Sequence, residues 1–195
     1  MATLHTARLT LRRWQPEDHE PFIAMNLDPE VMRYFPSTYT REQSLEHISR
    51  MNALIDAEGW GFWSASTRQG HDFIGVIGLI ARDHTSPLPH APCVEVGWRV
   101  AQKHWRRGYA TEAALASLQY AFEHLHKAEI VAFTAIQNTP SRKVMEKLGM
   151  HNLQEDFDHP NVPDHSHVKR HCVYKLTREE WLNAHPSPSY TVDIS

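Results

Sequence analysis

Cysteine is scarce, with Cys93 and Cys172 alone in 195 residues. Two thiols make no disulfide framework, and a chain of this length can bury a core without one. Both are read as reduced, inert strand residues of a cytosolic protein. Long apolar runs are missing as well. No stretch approaches the ~20 apolar residues of a membrane-spanning helix, and MATLHTARLTLRRW lacks the apolar centre of a secretory signal. Nor is there an excess of positive charge. Twenty Lys and Arg against 23 Asp and Glu leave −3 with neutral histidines, so no global basic field draws the chain to nucleic acid or anionic lipid. No internal repeat or composition break splits it. The expectation is a soluble, cytoplasmic protein with one domain over 1–183 and a loose tail, AHPSPSYTVDIS, over 184–195.

What is present is a legible series of elements. Leu9 and Leu11 alternate with Arg8, Thr10 and Arg12 as in a strand. Pro16 opens a helical pattern through Phe22 and Ile23, and Asp28-Pro29 reads as a cap and first turn. Thr40 and Gln43 form a capping box ahead of an apolar face of Leu45, Ile48, Met51, Leu54 and Ile55. From Trp60 the period changes to strands, GWGFWSAS and then FIGVIGLI, where Gly75 and Gly78 mark a bulge or a close backbone approach. A proline-rich loop over 83–92 precedes CVEVGWRV, which alternates Val94, Val96, Trp98 and Val100 against Glu95, Gly97 and Arg99. A helix begins near Tyr109 with Ala114, Leu118, Phe122 and Leu125 inward. EIVAFTAI is a strand buried on both faces. Thr139-Pro140 starts a short helix that Gly149 stops. MHNLQED and HVKRHCVYKL are the last strands, around a loop rich in His and Pro. The predicted order is β-α-α-β-β-β-α-β-α-β-β, a mixed α/β sheet with helices on both faces.

The segment Trp105-Arg106-Arg107-Gly108-Tyr109-Ala110-Thr111-Glu112 lies between a strand and a helix start. A glycine turn there aims backbone N–H groups outward beside the positive end of the helix, which suits a pyrophosphate. Gly108 permits a close approach. A turn with a solvated basic pair accounts for these residues equally well.

The segment resembles the acyl-CoA loop of the GNAT superfamily, Q/R-x-x-G-x-G/A, with Trp105 in place of the usual first residue. WRRGYATEA is most similar to the branch of ribosomal-protein N-terminal acetyltransferases (RimJ/RimL-like). Asn138-Thr139-Pro140-Ser141-Arg142 followed by Glu146-Lys147-Leu148-Gly149-Met150 resembles a second family motif, some thirty residues on and behind a buried strand. RLTLRRW and VYKLTREEW extend the likeness over roughly 7–181. It implies a mostly antiparallel sheet of six to seven strands, splayed between the fourth (93–100) and fifth (129–136). It also implies acetyl-CoA as co-substrate, with no metal. In that likeness Arg106, Arg107, Gly108, Tyr109, Ala110 and Thr111 cradle the phosphates. Backbone amides around Trp98, Arg99 and Val100 hold the acetyl carbonyl and pantetheine, and Asn138 contacts CoA or a water. Ser141 is the implied donor to the thiolate.

Glu95 is the candidate general base for aminolysis, which needs a free amine and a polarised carbonyl. Plainer roles stand beside each assignment: Ser141 satisfying backbone donors, Asn138 as a helix cap, Glu95 pairing with Arg99. The acceptor is an amine, on a protein or peptide N-terminus or on a small molecule, and Arg33, Tyr34 and Phe35 sit where related enzymes place an acceptor loop. Among 15 histidines, His165 and His167 could share a strand face, but no Cys or Asp partner stands at a metal spacing. Edge strands and exposed aromatics leave room for a homodimer. The alternative function is a CoA-binding regulatory module without catalysis.

Overall fold

The computed structural model describes residues 1–185 and 191–194. One sheet organises it, with strand order β10-β1-β2-β3-β4-β5-β6-β9-β7 and β8 also paired to β9. The strands are β1 (Ala2–His5), β2 (Leu9–Arg12), β3 (Phe62–Thr67), β4 (Phe73–Arg82), β5 (Cys93–Val100), β6 (Glu129–Ala135), β7 (His151–Asn152), β8 (Phe157–Asp158), β9 (Arg170–Thr177) and β10 (Thr191–Ile194). Neighbours run antiparallel except β5 and β6, which are parallel and meet at the single pair Glu95–Val131. Beyond that pair the two strands diverge, so the splay falls where the family resemblance implies it.

The sheet is larger than six to seven strands. The alternation of Ala2 and Leu4 with Thr3 and His5 makes β1, which pairs with β2 across a turn at Thr6. The stretch 184–195, expected to be loose, lies partly outside the described residues (186–190 and 195). Within it Thr191–Ile194 pairs antiparallel with β1. Conversely, MHNLQED contributes only the two residues of β7, and His165 and His167 lie on a loop before β9 rather than on a strand face.

Helices cover both faces. On one side lie α1 (His19–Leu27), α2 (Pro29–Met32) and α3 (Arg41–Glu58). Asp28 caps α2 by accepting the Glu30 N–H at 2.9 Å. Thr40 and Gln43 cap α3 reciprocally. The buried stripe of α3 is Ser44, Ile48, Met51 and Ile55, and Leu54 turns outward. On the other side α4 (Tyr109–Gln119) packs on β4 and β5 and widens to π geometry over Tyr120–His124. α5 (Thr139–Lys147) follows β6, and α6 (Arg178–Ala184) follows β9. The core includes Trp14, Phe22, Trp63, Phe122, Tyr174 and Trp181, all fully buried. Gly75 and Gly78 are close approaches. A Cβ on Gly75 would stand 2.1 Å from the Arg99 carbonyl oxygen, so β4 and β5 can pair this tightly only with glycine there.

Candidate active site

The splay and the start of α4 frame a cavity of about 450 Å³. Its floor is the end of β5. The Ala101 N–H donates to the Ile74 carbonyl at 2.9 Å. Because antiparallel residues alternate between the two edges of a strand, the backbone polar groups of Trp98 and Val100 turn from β4 into the gap. Those of Arg99 turn toward β4, and it is the Arg99 side chain that lines the cavity. The Val100 carbonyl accepts from the Trp105 indole at 2.7 Å.

At the far end Arg106 and Gly108 both take left-handed backbone, φ 60° and 79°. Left-handed residues alternating along a turn make successive N–H groups converge on an anion. No side chain caps the start of α4, so its first N–H groups are left for a ligand. A Cβ on Gly108 would meet only Arg8 Nη2, at 3.5 Å, which leaves the approach open. Arg106, Tyr109, Ala110 and Thr111 line the cavity, with Lys143 and Lys147 of α5 opposite. An uncapped helix start, a nest of N–H groups and three cations suit the diphosphate of CoA, so the residues fit that co-substrate. Arg107 is exposed and outside the lining; its carbonyl accepts from Arg8 Nη1 at 3.0 Å.

Arg8 is a brace that sequence reasoning missed. Its Nε donates to Glu112 Oε2 at 2.6 Å, its guanidinium sits 4.6 Å over the Tyr109 ring, and the Thr6 hydroxyl donates to Glu112 Oε1 at 2.5 Å. Glu112 of the loop motif therefore ties α4 to the β1–β2 turn. The signal lay in Arg8 itself, an arginine at the start of a predicted strand, but its partner is 104 residues away.

Ser141 lines the cavity, whereas Glu95, four residues before Arg99 on β5, lies outside that lining. Arg82 Nε and Nη2 both donate to Glu95 Oε2, at 2.8 and 2.7 Å. Oε1 has no protein partner among the described residues and faces Gly97. Burial pushes the Glu95 carboxyl above its ordinary value, against the pull of Arg82. The expected alternative partner, Arg99, is elsewhere, enclosed by Phe22, Phe35 and Tyr39. Asn138 caps α5: Oδ1 accepts the Ser141 N–H at 3.2 Å, and Nδ2 donates to Thr134 Oγ1 at 2.9 Å. Its amide is engaged at both ends. The Ser141 hydroxyl has no partner among the described residues and lines the cavity beside Asn138.

Arg33, Tyr34 and Phe35 line the same cavity. His167 reaches across from the loop before β9, its Nε2 3.4 Å from the Arg33 carbonyl oxygen. The His159 and His171 rings meet at a tilt, 4.7 Å apart, beside Phe157. Among the described residues no group of three or more His, Cys, Asp or Glu could hold a metal.

Residues 8–151 match the acetyltransferase (GNAT) domain family. The chain is 33% identical over 194 residues to the FsC-acetyl coenzyme A-N(2)-transacetylase of Aspergillus fumigatus, covering 97% of this chain and 81% of that one. An acetyltransferase (GNAT family) from Bacillus anthracis superposes with TM-score 0.75 at 25% identity, over 91% of this chain and 99% of that one. The spermidine N-acetyltransferase of Vibrio cholerae, solved with CoA and spermine, superposes at 0.71 and 19% identity, over 91% and 100%.

Proposed function

Because the chain belongs to the GNAT family of acetyl-CoA-dependent N-acetyltransferases, we propose that it moves the acetyl group directly to a primary amine bound in the same cavity. The observation that carries this reading is the continuity of the cavity from the Gly108 nest, past the splay, to the Arg33–Phe35 loop. Acetyl-CoA supplies an activated thioester. The chain holds its phosphates at Arg106–Thr111, and the inward-turned backbone at Trp98 is placed to orient the acyl end. Glu95 Oε1 accepts the proton of the incoming amine, directly or through water, while Oε2 stays anchored on Arg82. The Ser141 hydroxyl is free to donate to the departing sulfur. Proximity in a shared cavity accounts for much of the acceleration.

The acceptor is a small amine or a peptide N-terminus. The N(2) acetylation in the fungal relative's name favours the small molecule. The likeness of WRRGYATEA to the RimJ/RimL-like branch keeps a peptide N-terminus in view. A silent CoA-binding module fits less well, since Glu95 Oε1 and the Ser141 hydroxyl are both left without partners among the described residues. Calorimetric titration with acetyl-CoA, then thiol release against peptides and small amines, tests the reading. Binding in the wild type, its loss in Gly108→Asp, and amine-dependent thiol release are expected. Binding without release on any amine would establish the silent module instead.

A further inference from the structure

The guanidinium of Arg99 is enclosed without a counter-charge among the described residues. Its Cζ lies 5.5, 4.9 and 5.4 Å from the ring centres of Phe22, Phe35 and Tyr39. Nη1 donates to the Met32 thioether at 3.0 Å, a weak acceptor, and Nε is buried with no acceptor among the described residues. No carboxylate pairs with it among the described residues. Two other arginines with largely covered side chains are matched by carboxylates, Arg12 by Asp18 and Arg82 by Glu95. Burial draws Arg99 down to about 10, so it keeps its proton at neutral pH. Aromatic faces compensate a buried cation only in part, and a guanidinium fork is shaped for a two-oxygen anion.

Its position indicates which anion. Arg99 faces α1 and α2, on the sheet face that also carries Glu95 and Gly97, whereas the diphosphate nest lies at the start of α4 on the other side. Glu95 and Arg99 are four residues apart on one strand, about 13 Å along it. The Phe62 ring covers Gly97 between them, its Cζ 3.0 Å from where a Cβ would be. One strand face thus presents a carboxylate, an apolar floor and a cation in sequence. We propose that Arg99 anchors a carboxylate of the acceptor, which makes the substrate class a small aminocarboxylate. Its ammonium points toward Glu95 and its carboxylate toward Arg99. This assignment rests on the amine-acetylating reading above.

Matched acceptors test it: ω-amino acids from glycine to 6-aminohexanoate and common α-amino acids, each against its own carboxamide. Two readouts are taken, kcat/KM with acetyl-CoA and calorimetric binding to protein saturated with CoA. The best carboxylate is expected to exceed its carboxamide by at least tenfold in both. Arg99→Met brings that ratio to about one, and Arg99→Lys leaves an intermediate ratio, because it retains charge but loses the fork. Acetyl-CoA binding by each variant reports that it has folded; if Arg99→Met fails there, the wild-type and Arg99→Lys ratios decide. A wild-type ratio near one, or a ratio unchanged by the substitution, overturns the assignment. Transfer to other amines but to neither series overturns it while the amine reading stands. Transfer to no amine at all removes both.

Discussion

At Glu95 two opposing forces act on one carboxyl. Burial raises its pKa and the Arg82 guanidinium, bonded twice to Oε2, lowers it, with burial prevailing. A base must be ionised to work, so activity should rise with pH along a limb above the ordinary carboxylate range. Removing Arg82 removes the lowering influence, and Arg82→Met is expected to move that limb to still higher pH. Glu95→Gln is expected to lower kcat by about 10²–10⁴-fold, the usual effect of losing a positioned base. The pH profiles of kcat/KM for wild type and Arg82→Met decide the matter, and a limb that stays in place or moves down would remove Arg82 from the site.

At the scale of elements, the site depends on how β4, β5 and β6 meet. β5 is paired with β4 along its length and with β6 at one residue pair, so the gap belongs to one edge of β5 only. Gly75 maintains the tight edge. An added methyl in Gly75→Ala would stand 2.1 Å from the Arg99 carbonyl oxygen and 2.9 Å from Val100 Cα, both backbone atoms with little freedom to move. The expected cost is about 1–3 kcal/mol, as for overpacked cores, read as a lower urea midpoint at constant slope. Acetyl-CoA affinity should fall with it, because the displaced strand carries the floor of the cavity. An unchanged midpoint would show that β5 is not held by this approach. The nest at the start of α4 is braced separately, through Arg8 and Glu112 from the β1–β2 turn.

For the whole molecule, half-buried histidines contribute to the response to acid. Burial, with Arg50 and Arg99 nearby, lowers His47 to about 4. Burial, with His171 and Arg82 nearby, lowers His159 to about 4 as well. The unfolded chain releases these protons near 6.5, so between about pH 6.5 and 4 it binds more protons than the folded protein. Stability therefore falls as pH falls through that window. Tm is expected to decline from pH 7 to pH 5, and His159→Phe, which keeps a ring beside Phe157 and His171, should make the decline shallower. An unchanged slope would mean that His159 is free to protonate in the folded state.

The elements with local chemistry could be read from the sequence. Thr40 with Gln43, Asp28 with Pro29, the alternation along CVEVGWRV and the glycine turn at 108 each carry their physical reason within a few residues. The family motifs at 105–112 and 138–150 then located the cavity and the splay. Boundaries followed less well. MHNLQED shrank to two paired residues and β1 went unseen, because a short strand exists only where a neighbour offers an edge. The pairing of charges was decided by tertiary structure alone. Glu95 and Arg99 share a strand face, yet Glu95 binds Arg82 from the adjacent strand and Arg99 is enclosed by rings from the helical layer. Ion pairs depend on three-dimensional distance and on burial, and neither is written in the spacing along one strand.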